Sequence, residues 1–187
     1  MSLSIAAYRQ AGDYIEDADV SDNANIETAK LGTRTLYRSL PATIFQRSGT
    51  GVSLTTSGVF GGVTLPDANA GSLFASFPLP DEYVSGAITI RIFWNTTATS
   101  GAAKFFADVK STSQDGSLTS EETDSVVDTA NGTASRINDA TIDLDAADFT
   151  AGDIIGLKIY RDPSDGSDTL GADLVVFEVT LEFTGRG

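Results

Sequence analysis

From its middle to its end the chain alternates apolar and polar positions in twos. Ile88, Ile90, Ile92 and Trp94 fall on one face of an extended segment, and Ala87, Thr89, Arg91 and Phe93 on the other. Residues 87–94 therefore predict a strand with one apolar face. The same reading predicts strands over 72–77, which stops at Pro78, and over 103–109 through Phe105, Ala107 and Val109. It predicts two more over 140–144, through Ile142 and Leu144, and over 153–161, through Ile155, Leu157 and Ile159. A last strand, 173–184, places Val175, Phe177, Val179, Leu181 and Phe183 on one face and turns Glu178, Thr180 and Glu182 to water. Clusters of Gly, Ser, Thr, Asn and Asp separate these runs. Residues 111–135 are polar and predict a surface excursion with at most a weak strand near Val126 and Val127.

Short strands divided by turns pair antiparallel, and a sheet with one apolar face needs a second layer to cover it. The expected fold class is all-β, an antiparallel β-sandwich of the jelly-roll kind. The start of the chain is different. Ile15, Val20, Ile26 and Leu31 are five, six and five residues apart, which suits neither a helix nor a strand. Turn chemistry over 21–25 allows one short helix from Ile26 to Leu31, ended by Gly32. The organisation expected is an extended N-terminal arm over residues 1–45, used for attachment or trimerisation, and a jelly-roll domain over 46–187.

Composition removes several kinds of chemistry. The 187 residues include no Cys and no His, so there is no disulfide, no thiolate metal site and no Ser-His-Asp triad. The net charge is −14, which repels phosphate backbones and argues against a nucleic-acid partner. No apolar run approaches the roughly 20 residues that cross a bilayer as a helix, so no membrane partner is expected. The first five residues show no basic segment or long apolar stretch, and predict no secretory signal. Neither a phosphate-binding glycine loop nor a Gly-x-Ser-x-Gly elbow occurs, and no cofactor is expected.

Three groups of residues remain as candidate chemistry. Asp162, Asp165 and Asp168 lie three apart around Gly166 and could offer oxygen ligands to a hard cation; the plainer reading is a loop whose aspartates bond their own backbone, with Arg161 pairing one of them. Carboxylates occur in pairs, such as Glu121 with Glu122 and Asp143 with Asp145, but in polar stretches where chance pairs are frequent in so acidic a chain. Trp94 with Phe93, Tyr83 and Tyr160 could form an aromatic platform for a sugar ring. Trp94 is, however, in phase with Ile88, Ile90 and Ile92, which favours the core. The favoured reading has no catalytic and no metal-binding residues, and the protein is expected not to be an enzyme.

Two stretches carry a resemblance. In residues 17–31 an aliphatic residue, Val20, precedes Ser21-Asp22, and Ala24, Ile26, Lys30 and Leu31 follow at fixed spacing; this resembles a motif of phage fibres and virion-attached proteins. From Phe77 onward, Leu79-Pro80-Asp81-Glu82-Tyr83, Ile92-Phe93-Trp94, Arg161-Asp162 and Ser167-Asp168-Thr169-Leu170 occur in that order before a final aliphatic strand. This resembles small trimeric β-sandwich virion proteins of tailed bacteriophages. The resemblance implies a homotrimer located on the virion, whose arm contacts the major capsid protein or another virion protein; the short chain and its acidic surface favour the capsid surface over the tail. Ile15, Val20, Ile26, Lys30 and Leu31 would make the attachment or oligomer contacts, because spaced aliphatics gain most when several chains pool them. Capsid decoration or cement is the first role implied. A phage fibre or tail adaptor, working as a receptor-binding or carbohydrate-binding module, is the alternative.

Overall fold

The computed structural model describes residues 33–113, 116, 122–145 and 149–186, so the arm contacts Ile15, Val20, Ile26, Lys30 and Leu31 lie outside the described residues. The unit that begins at Thr33 is an antiparallel jelly-roll β-sandwich of eleven described strands. One sheet takes β3 (Ser53–Ser57), β4 (Phe60–Leu65), β11 (Leu174–Arg186), β6 (Ile88–Thr96) and β9 (Asn138–Leu144) in that order, and β1 (Thr33–Pro41) also pairs with β11. The other takes β2 (Gln46–Ser48), β5 (Gly71–Pro78), β10 (Ile154–Arg161), β7 (Ala102–Thr112) and β8 (Glu122–Thr129). The alternation read over 87–94, 103–109, 140–144 and 153–161 holds: Ile90, Ile92, Trp94, Phe105, Ala107, Ile142, Leu157 and Ile159 are all buried between the sheets.

Trp94 belongs to this core. It is fully buried on β6, meets the edge of Phe105 on β7 at 5.6 Å between ring centroids, and donates its indole N–H to Asp128 Oδ2 on β8 at 2.8 Å. One side chain thus supplies apolar bulk to the first sheet and a polar tether to the second. A buried indole N–H without a partner would cost most of what the ring contributes.

Three expectations need correction. The sandwich begins at Thr33 rather than 46, because β1 pairs with β11 from Thr33↔Arg186 to Pro41↔Glu178. The alternation over 36–40 was hidden by a cation: Arg38 shares a parity with Leu36 and Leu40, and sits at the edge of the sandwich with its guanidinium 4.9 Å from the Phe77 ring centroid and donating to the Pro78 carbonyl. A short 3-10 turn, Ala42–Ile44, follows β1. The weak strand near Val126 and Val127 is the full eight-residue β8. It is an edge strand held by backbone pairing with β7, so Val126 alone packs against the core, Val127 stands exposed, and its other residues are polar.

The third correction concerns β11. Its ladder with β6 runs in step from Leu174↔Thr96 to Val176↔Trp94, then resumes at Glu178↔Phe93. Phe177 is the extra residue of a β-bulge, and a bulge resets which residues face which way. The inward set is Leu174, Val176, Val179, Leu181 and Phe183. Val175 and Phe177, placed on the core face by a strict period of two, lie on the outer face instead.

Replacing Trp94 by Ala should cost about 3–5 kcal/mol of unfolding free energy, the usual range for a large buried aromatic, measured by urea titration. A loss under about 1 kcal/mol would mean that the ring does not hold the two sheets together.

Candidate functional site

The acidic loop after β10 is a structural joint. Arg161, fully buried, donates from Nε and Nη2 to both oxygens of Asp168 at 2.8 Å, from Nη2 to Asp67 Oδ1 at 2.9 Å, and from Nη1 to the Ala172 carbonyl at 2.8 Å. Asp165 takes the Lys104 ammonium at 2.9 Å, and Asp162 Oδ1 accepts from the Ser164 backbone and hydroxyl. The three carboxylates therefore point to separate partners, and among the described residues no group of three or more could hold a metal ion. Burial by itself would raise the Asp168 carboxyl, but the hydrogen bonds from Arg161 and from the Lys104 backbone outweigh it and hold the group below the usual carboxylate range.

The other sequence candidates are scattered. Tyr83 is buried against Phe183 at 6.2 Å, and its hydroxyl donates to the Gly86 carbonyl. Tyr160 lies on the outer face of the five-stranded sheet, stacked on Phe106 at 4.8 Å. Glu122 accepts from the Asp145 backbone and Asp143 from the Thr89 hydroxyl; Glu121 lies outside the described residues. Of the four aromatics proposed as a platform, only Phe93 reaches a groove.

That groove runs over the outer face of the six-stranded sheet and is centred on the β11 bulge. It consists of two adjoining open cavities, of about 660 and 470 Å³, that share Phe60, Ile137 and Phe177. Phe177 is only 9% exposed although it lies outside the core; the Phe60 ring covers it at 5.7 Å. Gly62 on β4 makes room for it. A Cβ there would come within 2.6 Å of Val175 Cγ1, 2.7 Å of the Val176 carbonyl and 3.1 Å of the Phe177 ring. Phe60 itself is presented by a two-residue hairpin turn, in which Gly58 takes φ +62 and Val59 stands 94% exposed. Such a turn needs the left-handed conformation that glycine adopts without penalty.

The two halves of the groove have different polar rims. Beyond Phe177 toward the 131–137 loop the walls carry Ser57, Asn95, Asn131, Ser135 and Arg136. Ser135 holds φ +60, with its N–H donating to the Thr96 carbonyl. The other half has Phe93 on its floor, Tyr37 on its wall at 64% exposure, and Arg91, Glu178 and Glu182 around them. Arg91 lies over the Phe93 ring at 5.2 Å and bridges Asp139 and Glu182. The hydrogen bonds that Arg91 donates, to Asp139 first and then to Glu182, raise its pKa beyond the ordinary guanidinium value. Glu178 Oε1 accepts from Ser39 at 2.6 Å and Thr180 at 3.2 Å.

Sequence reasoning missed Tyr37, Phe60 and Phe177 as site residues. The Gly-Val-Phe-Gly stretch at 58–61 was the available signal, since two apolar residues between turn-forming glycines have nowhere to be buried.

No protein-family model matches the chain, and no curated protein matches it. Solved structures resemble it in fold. The exo-β-1,3-galactanase of Phanerochaete chrysosporium, crystallised with galactose, aligns at 13% identity with a TM-score of 0.50 over 78% of this chain. The chain spans 29% of that enzyme's length. A family 35 carbohydrate-binding module from Clostridium thermocellum aligns at 13% identity, covering 78% of this chain and 97% of the module, with a TM-score of 0.48. The module TmCBM61, solved with β-1,4-galactotriose, aligns at 12% identity over 79% of this chain and 91% of its own, at 0.47. At these identities the likeness is one of fold.

Because the carboxyl of Asp168 is depressed in the folded state, its contribution to stability is fully present above the unfolded value and is lost as pH falls through the folded one. Thermal melts should show the protein losing stability below about pH 4. Asp168→Asn should cost about 3–5 kcal/mol at neutral pH, because Arg161 then stays buried without its main partner, and should flatten the acid limb. An unchanged acid limb in the variant would assign that loss to other carboxylates.

Proposed function

We propose that the protein is a non-catalytic carbohydrate-binding module that holds a glycan chain in the outer-sheet groove. The observation that carries this is the elongated groove itself: an aromatic floor and wall from Phe60, Phe93, Phe177 and Tyr37, rimmed by short neutral hydrogen-bonding groups at Asn95, Asn131, Ser57 and Ser39. A sugar ring has one or two apolar C–H faces and a girdle of hydroxyls, so it matches a site with aromatic faces below and polar groups at the edges. Two linked cavities suit several linked units better than one small molecule.

A binding role fits the carboxylates better than hydrolysis does. Glu178 and Glu182 are four residues apart on one strand, roughly 13 Å at about 3.3 Å per residue, whereas glycosidases set their carboxyl pair about 5–10 Å apart. Asp139 and Glu182 are closer together, but both are tied to the same Arg91 guanidinium.

A second reading is a virion structural protein, a capsid decoration or cement component bound to the major capsid protein as a homotrimer. The ordered motifs at 17–31 and from Phe77 onward support it, and so do the exposed Val59 and Phe60, adjacent at the β3–β4 turn, since exposed apolar residues grouped at one place suit a protein contact. The two readings are compatible if the module is carried on a particle.

On an array that carries both neutral and amino-sugar oligosaccharides, the full chain should bind at least one linear glycan, with affinity confirmed by calorimetry. Tyr37→Ala should weaken that affinity about tenfold, in line with the loss of one stacking ring, without moving the melting temperature, because the side chain is largely exposed. An array without hits, or a variant that binds normally, would sink the glycan reading. For the second reading, immunogold labelling of source virus particles should give regular label over the head; intact particles without label would rule it out.

A further inference from the structure

The two halves of the groove differ in charge as well as in shape. Arg136 is the charged side chain lining the loop half among the described residues. The other half contains Glu178, Glu182 and Arg91, with Asp139 bound to Arg91 from outside. The single guanidinium is engaged by two carboxylates, Glu182 within that half and Asp139 outside it, so Glu178 is left as an uncompensated negative charge. Elsewhere on the sandwich some carboxylates meet cations: Asp108 takes Lys158, Asp165 takes Lys104, and Asp67 and Asp168 take Arg161; others, such as Asp128, Asp143 and Asp162, are held by neutral donors. Glu178 is held in place by two hydroxyls, from Ser39 and Thr180, and has no basic partner among the described residues. It is half-buried and lies directly across the strand pair from Phe93, while Tyr37 stands opposite Glu182 farther along the same cavity.

A fixed carboxylate with no cation bound to it, in a groove that also holds aromatic rings, is complementary to the ammonium group of an amino sugar. The carboxylate accepts a charge-assisted hydrogen bond from the amine, and the largely exposed Tyr37 ring in the same cavity offers a face to a sugar ring. The net charge of −14 would also favour the approach of such a ligand over an anionic one. We propose that the glycan held in the groove is an amino-sugar chain with free amines, with one ammonium seated at Glu178 and the chain directed so that no ammonium meets Arg136. This rests on the glycan reading given above and narrows it to a ligand class.

The test compares two β-1,4-linked glucosamine hexamers that differ only in acetylation, one fully deacetylated and one fully N-acetylated. Each is titrated calorimetrically into the full chain, at a pH where the free amines are protonated. The deacetylated hexamer should bind about tenfold or more tightly, the scale of one charge-assisted hydrogen bond. Glu178→Gln should bring the ratio close to one. Asp81→Asn, which removes the same charge from an exposed loop outside the groove, should keep it. Tyr37→Ala should weaken binding of the deacetylated hexamer without altering the protein's charge. Equal or tighter binding of the acetylated hexamer overturns the proposal. So does a preference that survives Glu178→Gln and Tyr37→Ala, which would be adhesion of a polycation to an acidic surface. If neutral glycans bind through Tyr37 and neither hexamer is preferred, only the amine inference falls; if no glycan of any kind binds, the glycan reading falls first.

Discussion

The structure depends on one surplus residue in the strand that everything else joins. β11 pairs with β6 along one edge and with β4 and then β1 along the other. It must satisfy its backbone hydrogen bonds on both sides while keeping an apolar face to the core, and a strand that did this in strict alternation would bury Val175 and Phe177 and expose Val176. The bulge at Phe177 lets both conditions hold. Before it the parity that puts Leu174 and Val176 inward applies; after it Val179, Leu181 and Phe183 are inward. The same extra residue marks the point where β11 changes its partner from β4 to β1.

The groove follows from that reset. A bulge turns a large aromatic out of the core, and an aromatic on an outer face must be covered or left to attract something. Here it is covered on one side by Phe60, because Gly62 leaves space beside it, and left open on the other toward Phe93 and Ile137. The surrounding polar groups are held by one another: Arg91 by Asp139 and Glu182, and Glu178 by Ser39 and Thr180. A rim fixed in this way loses little side-chain freedom when a ligand arrives, which is how a shallow site gains affinity.

Away from the groove the sandwich is closed by polar contacts that leave no buried side-chain atom without a partner among the described residues. Arg161 gathers Asp67, Asp168 and the Ala172 carbonyl and so ties the turn before β5 to the loop before β11. Trp94 links β6 to β8 through Asp128. Both explain aspartates that read, in the linear chain, as a cation loop or as surface charge. Buried networks of this kind add specificity of assembly, because a misplaced partner leaves a charge or an indole N–H stranded in the interior.

By itself the sequence determined the all-β class, the antiparallel sandwich and the inward residues of its regular strands. Period-two burial is a local property, and each of Ile88 to Trp94, Phe105 to Val109 and Ile155 to Ile159 carries it within a single element. It also placed Trp94 in the core, and Glu178, Thr180 and Glu182 on an outer face. Only the tertiary structure decided the rest. β1 was concealed because Arg38 stands at an inward parity that the sandwich edge tolerates, and β8 because an edge strand needs backbone partners more than apolar residues. The phase of β11 changes where its neighbours change, which no window along one strand contains. The groove was illegible for the same reason: Tyr37, Phe60, Phe93 and Phe177 come from four strands, and they become one surface only when β1, β4 and β6 line up along β11.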